Sequence, residues 1–143
     1  MTDLTNLLGY NFEPQQSKTR DTISIGNIRL LTDQYHALIA LAHEYDLNAE
    51  SLITSKHCGE HRVTEETGLV TKLALTNLTS KTRILNIPPT LTKLQHLSCD
   101  SNLLSALKIQ PTLTTLQNLY CGNNQLSELN IPETLTKLQN LGC

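Results

Sequence analysis

Tryptophan is absent from this sequence, phenylalanine and methionine occur once each, and aromatic residues make up only 3% of the 143. Any core must therefore be aliphatic, and an interior of that kind favours regular, layered packing. The 38% hydrophobic content is enough for one folded unit. No run approaches the roughly 18 apolar residues that span a bilayer. The opening MTDLTNLLGY has no basic region leading into an apolar stretch and a cleavage site. These absences predict a soluble, cytoplasmic chain that uses no Sec-type leader.

Groups that could do chemistry are sparse as well. The six glycines are scattered, which excludes a phosphate-cradling loop. Glu65 and Glu66 form the one adjacent carboxylate pair, read as a solvated turn. His57, Cys58 and His61 in KHCGEHR are residues suited to zinc, but only three lie together and no fourth ligand is apparent. His36 and His43 lie seven residues apart on a helix, about 10 Å along its axis, too far to share an ion. No cysteine or serine stands beside a base and an oxyanion donor. Lys93 and Lys137 hold equivalent positions but Thr115 lies between them, and the net charge is -2, which argues against nucleic acid. The expectation is a protein that is not an enzyme and has no metal or cofactor.

What the sequence has is a repeat. LTKLQHLSCDSNLLSALKIQPT (91–112) is followed by LTTLQNLYCGNNQLSELNIPET (113–134) and LTKLQNLGC (135–143), a gapless period of 22. A unit of this size cannot bury its apolar face alone, so copies must stack into a solenoid. Leu97 and Cys99, then Leu119 and Cys121, are two apart, the strand period, which turns His96, Ser98 and Asp100 to an open face. Asn102 and Asn124 follow each strand and suit a tight bend whose backbone needs side-chain partners. LNIPPTLTK (85–93) and LNIPETLTK (129–137) contain proline, which disfavours a long helix on the return. Cys99, Cys121 and Cys143 share one repeat position, predicting buried, reduced thiols rather than a disulfide framework, and Cys58 has no obvious partner. An earlier unit, VTKLALTNLTSKTRILNIPPT (70–90), fits with two inserted residues, since Leu73 and Leu97 are 24 apart and the asparagine position falls on Leu78.

The first 68 residues differ in charge, with 5 basic and 10 acidic side chains against 6 and 3 in 69–143. LTDQYHALIALAHEYD predicts a helix at about 33–45, with Leu31, Tyr35, Leu38, Ile39 and Ala42 on one face, Thr32 as N-cap and Asp33 in the first turn. TISIGNIRL predicts a hairpin at 22–30 around Gly26-Asn27. A second short helix is expected from Asn48 over AESLITSK. Together 1–68 read as a mainly helical cap, and the helix is the candidate to cover the first strand's apolar edge.

The pattern LxxLxCxxNxLxxLxI, carried by 94–115 and 116–137, resembles the leucine-rich repeat in its cysteine-bearing form. The helix, loop and TGLVTKLALTNL resemble that family's N-terminal cap, and the phrases TLTKLQHLSC and IPPTLTKL are similar to repeats of bacterial effectors. The resemblance implies an α/β fold: a curved parallel sheet with an irregular convex side, about three and a half units over 69–143, the last incomplete. It also implies a concave face that binds another protein. On that face lie Lys72, Thr76, His96, Ser98, Asp100, Asn118, Tyr120 and Gly122. The expected function is a non-catalytic protein-binding module, and the likeness to effector repeats implies action in a host cell after non-Sec delivery. An alternative is the recognition part of a larger effector enzyme such as a ubiquitin ligase. The unfinished last repeat leaves self-association through its uncovered edge open as well.

Overall fold

The computed structural model of the chain describes residues 21–25, 28–48, 52–53, 63–64, 68–75, 78 and 81–143. Within them the repeat period becomes a parallel β-solenoid of roughly three turns. Strands β5 (Lys72–Ala74), β7 (His96–Ser98), β9 (Asn118–Tyr120) and β10 (Asn140–Gly142) form a four-stranded parallel sheet in the order β10-β9-β7-β5. Leu73, Leu97, Leu119 and Leu141 stand opposite one another across it. Leu97 pairs with Leu73 across 24 residues of chain, so the two extra residues lie outside the strands and the register survives.

The return side is more regular than expected. In place of a wholly irregular surface it carries a second parallel pair, β6 (Ile84–Asn86) and β8 (Ala106–Lys108). The prolines sit just after these segments, where their missing N–H interrupts no ladder. Each turn then closes through the same short bends: Leu91, Leu113 and Leu135 donate to the carbonyls of Pro88, Gln110 and Pro132.

Threonine recurs because it ties neighbouring turns together. Thr112 and Thr134 donate their hydroxyls to the carbonyls of Pro89 and Pro111, at 2.9 and 2.7 Å. Thr115 reaches both Thr92 and Leu94. The asparagines do the same on the opposite flank. Asn102 accepts from the Leu78 N–H at 2.9 Å and donates to the carbonyls of Leu75, Cys99 and Asp100. Asn124 repeats the arrangement one turn on, accepting from Leu104 and donating to Cys99, Cys121 and Gly122. Peptide groups at a buried bend are thereby satisfied without a sheet. Leu78 occupies the asparagine position of the first turn and is held by the Asn102 side chain above it.

The hairpin is β1 (Thr22–Ile25) against β2 (Ile28–Leu31), antiparallel, with Ile25 opposite Ile28. Helix α1 (Thr32–Glu44) follows directly. A short antiparallel pair, β3 (Val63–Thr64) with β4 (Leu69–Val70), leads into β5. At Gly68 φ is +64°, and a Cβ there would lie 2.9 Å from the Leu31 backbone nitrogen, so only glycine fits. Leu52 and Ile53 are helical and buried, and the Leu52 N–H donates to the Asn48 carbonyl.

Two details of α1 depart from expectation. Its N-cap is Leu31, with no side-chain cap bond, because the Thr32 hydroxyl is taken by the Asp21 carbonyl at 2.8 Å. The fully buried stripe is Gln34, Leu38, Leu41 and Ala42, while Tyr35 and Ile39 are only partly covered. Gln34 is 1% exposed because its side chain bridges the cap to the solenoid, donating to the Thr90 carbonyl at 2.7 Å and accepting from Val70. Tyr45 adds a second bridge, its hydroxyl accepting from the Asn86 N–H at 2.8 Å. One hydrophobic cluster consequently runs from Leu30 through Leu73, Leu97 and Leu119 to Leu135.

The expectation of reduced cysteines fails for one pair. Cys121 and Cys143 are joined by a disulfide, while Cys99 is free and buried. The reason is the stacking itself. A position repeated on adjacent turns is brought to about the inter-strand spacing, 4.7 Å between these Cα atoms, inside the range a disulfide needs. Cys58 and the KHCGEHR stretch lie outside the described residues.

Candidate functional site: the open face of the four-stranded sheet

Strand alternation sends Leu97 and Leu119 into the core and aims their neighbours at the opposite face. Lys72, His96, Asn118 and Asn140 form one cross-strand row, and Ala74, Ser98, Tyr120 and Gly142 the other. Asp100 and Gly122 follow the strands in adjacent turns. The structure thus brings seven of the eight expected site residues together, and Thr76 lies outside the described residues.

The first row is a hydrogen-bonded file. Asn140 donates its amide to the Asn118 Oδ1, and Asn118 in turn faces His96 Nδ1 at 2.8 Å. With the Asn118 oxygen engaged, its Nδ2 is the donor and His96 Nδ1 the acceptor. Asn118 was expected as an open-face contact, yet it is 8% exposed, buried between its two neighbours. It braces the face more than it presents itself.

Asp100 anchors the other side. Its Oδ1 accepts from the Gly122 N–H at 2.6 Å and its Oδ2 from the Ser98 hydroxyl at 3.1 Å, so both carboxylate oxygens are fixed. Tyr120 lies between the two features and is 42% exposed. A Cβ on Gly142 would stand 3.0 Å from Tyr120 Cδ1, showing that the ring lies against that glycine's backbone. The face therefore offers an aromatic surface, amides and an imidazole on paired strands, beside a fixed carboxylate just past them. Such a surface loses little side-chain freedom on binding.

No family model, curated protein or solved structure matches the chain. Clefts of about 550 and 490 Å³ lie at the two ends of α1, lined at one by Tyr45, Lys81 and Arg83 and at the other by Thr32, Gln34 and Lys93. Neither includes a residue of the open face. Among the described residues no group of three or more His, Cys, Asp or Glu could hold a metal ion, and no helix is long and apolar enough to cross a membrane. Burial, and after it the charge of Asp100, pushes the Cys99 thiol up to about 12, which makes it a poor nucleophile at neutral pH.

Reading residues singly missed three features. Gln34 is not on the apolar face read from the sequence, although its place between Leu31 and Leu38 marks the inward stripe. The Arg83 side chain bonds Gln125 Oε1 at 2.7 Å and the Leu103 carbonyl, spanning three turns in a way no spacing rule signals. The disulfide did have a signal, three cysteines in one column.

Proposed function

We propose that the chain is a leucine-rich-repeat protein that works as a non-catalytic binding module, and that it engages a protein partner through the open face of its four-stranded sheet. The observation that supports this most is Tyr120, a large ring left substantially exposed on a face otherwise tied down by hydrogen bonds. Tyrosine is enriched among the residues that dominate protein interfaces, since it brings contact area with few rotors to freeze. Ser98, Asp100 and His96 flank it with acceptors and donors of fixed direction, which is what specificity requires. The family assignment rests on the 22-residue period, the leucine register and the asparagine bonds at each bend.

The test is a double variant, Tyr120→Ala with His96→Ala, compared with the parent chain for partner capture and for thermal unfolding. The expected outcome is a partner affinity lowered at least about tenfold with the unfolding transition nearly unmoved. Capture unchanged in the double variant would remove the open face from consideration.

A further inference from the structure

Cys121 is bonded to Cys143, yet the column it belongs to holds a third sulfur. The Cys121 N–H donates to the Gly142 carbonyl at 2.7 Å, and the Cys99 N–H donates to the Tyr120 carbonyl at 2.8 Å. In each case the acceptor is the residue just before the next cysteine. Cys99 therefore stands to Cys121 as Cys121 stands to Cys143, and that second pair is joined, with its Cα atoms 4.7 Å apart. One side-chain nitrogen spans the first pair: Asn124 Nδ2 donates to the carbonyls of both Cys99 and Cys121, each at 2.9 Å. Cys121 Sγ is thus within reach of a sulfur in the turn before it as well as in the turn after it.

The two links differ little in cost and greatly in consequence. Cys99, Cys121 and Cys143 follow one another at 22 residues, so either link closes the same length of chain and removes about the same entropy from the unfolded state. Their surroundings are unlike. Cys99 is 0% exposed and Cys121 2%, whereas Cys143 is exposed just past β10. With Cys121 joined to Cys143, the remaining thiol of the column is shut in the core. With Cys99 joined to Cys121, it faces water.

We infer that Cys99 is an internal nucleophile that relocates this disulfide and so turns Cys143 into a thiol site for modification by soft electrophiles or by the disulfides of small molecules. The Cys99 thiolate attacks Cys121 Sγ, the Cys99–Cys121 bond forms as the Cys121–Cys143 bond breaks, and Cys143 leaves as the thiolate. The Cys99 proton passes to solvent and one returns to Cys143. One thiol and one disulfide enter the step and one of each leaves it, so it needs no oxidant or reductant. The fastening thereby moves from the last turn to the one before it. Burial, and after it the charge of Asp100, pushes the Cys99 thiol up to about 12, so little thiolate is present at neutral pH and the exchange is slow there. The inference rests on the cysteine column and stands or falls without the open face.

The test is trapping with excess N-ethylmaleimide on the whole folded chain at about pH 8.5, which blocks every thiol already in solvent and captures Cys143 whenever it is freed. A second maleimide of different mass marks the thiols that remain on denaturation. Trypsin then separates residues 94–108, 109–137 and 138–143, with one cysteine in each. Over hours, the link between 109–137 and 138–143 should give way to one between 94–108 and 109–137, with N-ethylmaleimide accumulating on Cys143 in step. The exchange should run about tenfold slower one pH unit lower, following the thiolate. In Cys99→Ala the labelling of Cys143 should fall at least about tenfold. A link from Cys121 to Cys143 that stays whole, with Cys143 unlabelled, would overturn the inference. So would N-ethylmaleimide on Cys99 in the folded chain, which would show that Cys99 meets outside reagents directly. Labelling of Cys143 that persists in Cys99→Ala would overturn it too, by assigning the opening to another nucleophile.

Discussion

At the scale of single residues, Asn102 and Cys99 carry the most testable consequences. Asn102 is buried and serves one donor and three carbonyl acceptors with a single amide. Asn102→Ala strands those groups, so a loss of about 3 kcal/mol is expected in urea unfolding, against a smaller loss for the less buried Asn124. Ser101, just before it, is held at φ +57°, as Asn123 is at +53° one turn later. Asn tolerates that region and Ser does not, so Ser101→Gly should raise stability by about 0.5–1 kcal/mol, read by the same unfolding curve. The Cys99 thiol, with an ordinary value of 9.0, is raised to about 12 in the folded chain. The folded state therefore holds its proton more tightly, and the sign follows. Stability from this group is whole below the unfolded value and is lost as pH climbs from 9.0 toward about 12. Unfolding curves across that window should fall more steeply for the parent than for Cys99→Ala. The Cys99-bearing peptide should also resist alkylation at neutral pH until the chain is denatured.

At the scale of elements, the joint between α1 and the first turn decides whether the cap and the solenoid act as one body. Gln34 and Tyr45, near opposite ends of the helix, each make a partly buried bond to the solenoid's backbone, at Thr90 and Asn86. Gln34→Ala should cost about 2 kcal/mol by leaving the Thr90 carbonyl and Val70 N–H poorly satisfied, and Tyr45→Phe about 1 kcal/mol, both measured by thermal unfolding. These bonds also show where sequence reading stops. A 22-residue period fixes the leucine register, the turn asparagines and the parallel sheet, because each depends on spacing alone. The hairpin was legible for a similar reason, a Gly-Asn pair between isoleucines. The Gln34 bridge was not, since it joins residues 56 apart whose meeting depends on how the cap docks. On the open face the placement of His96, Asn118 and Tyr120 was legible from alternation. The burial of Asn118 was not, because it comes from Asn140 and His96 closing over it from both sides.

At the scale of the whole molecule, a solenoid's stability is close to a sum of turns and of the contacts between neighbours, so its turns need not be equally secure. The last turn is the weakest by burial. Leu135 joins the buried core, whereas Leu126, Leu129, Ile131 and Leu138 pack against it only partly. It is fastened instead by the disulfide from Cys121 to Cys143, which closes 22 residues of chain. A loop of that size is worth about 3 kcal/mol through the entropy it removes from the unfolded chain. Cys143→Ser should therefore lower stability by about that amount, and the effect should be local. Hydrogen exchange should accelerate in β10 and in residues 123–139 while β5, β7 and α1 keep their protection, because those elements draw their burial from Leu73, Leu97 and the cap. A dithiol reductant added to the parent chain should reproduce the pattern, and acceleration spreading evenly into β5 and α1 would show instead that the turns unfold as one cooperative unit. The open face is then divided in its dependence on redox state. His96, Ser98 and Asp100 lie below the clasp, while the Tyr120 ring rests on Gly142 of the strand that the clasp holds in place. On the function proposed above, reduction should accordingly lower partner affinity through Tyr120 before it costs the fold.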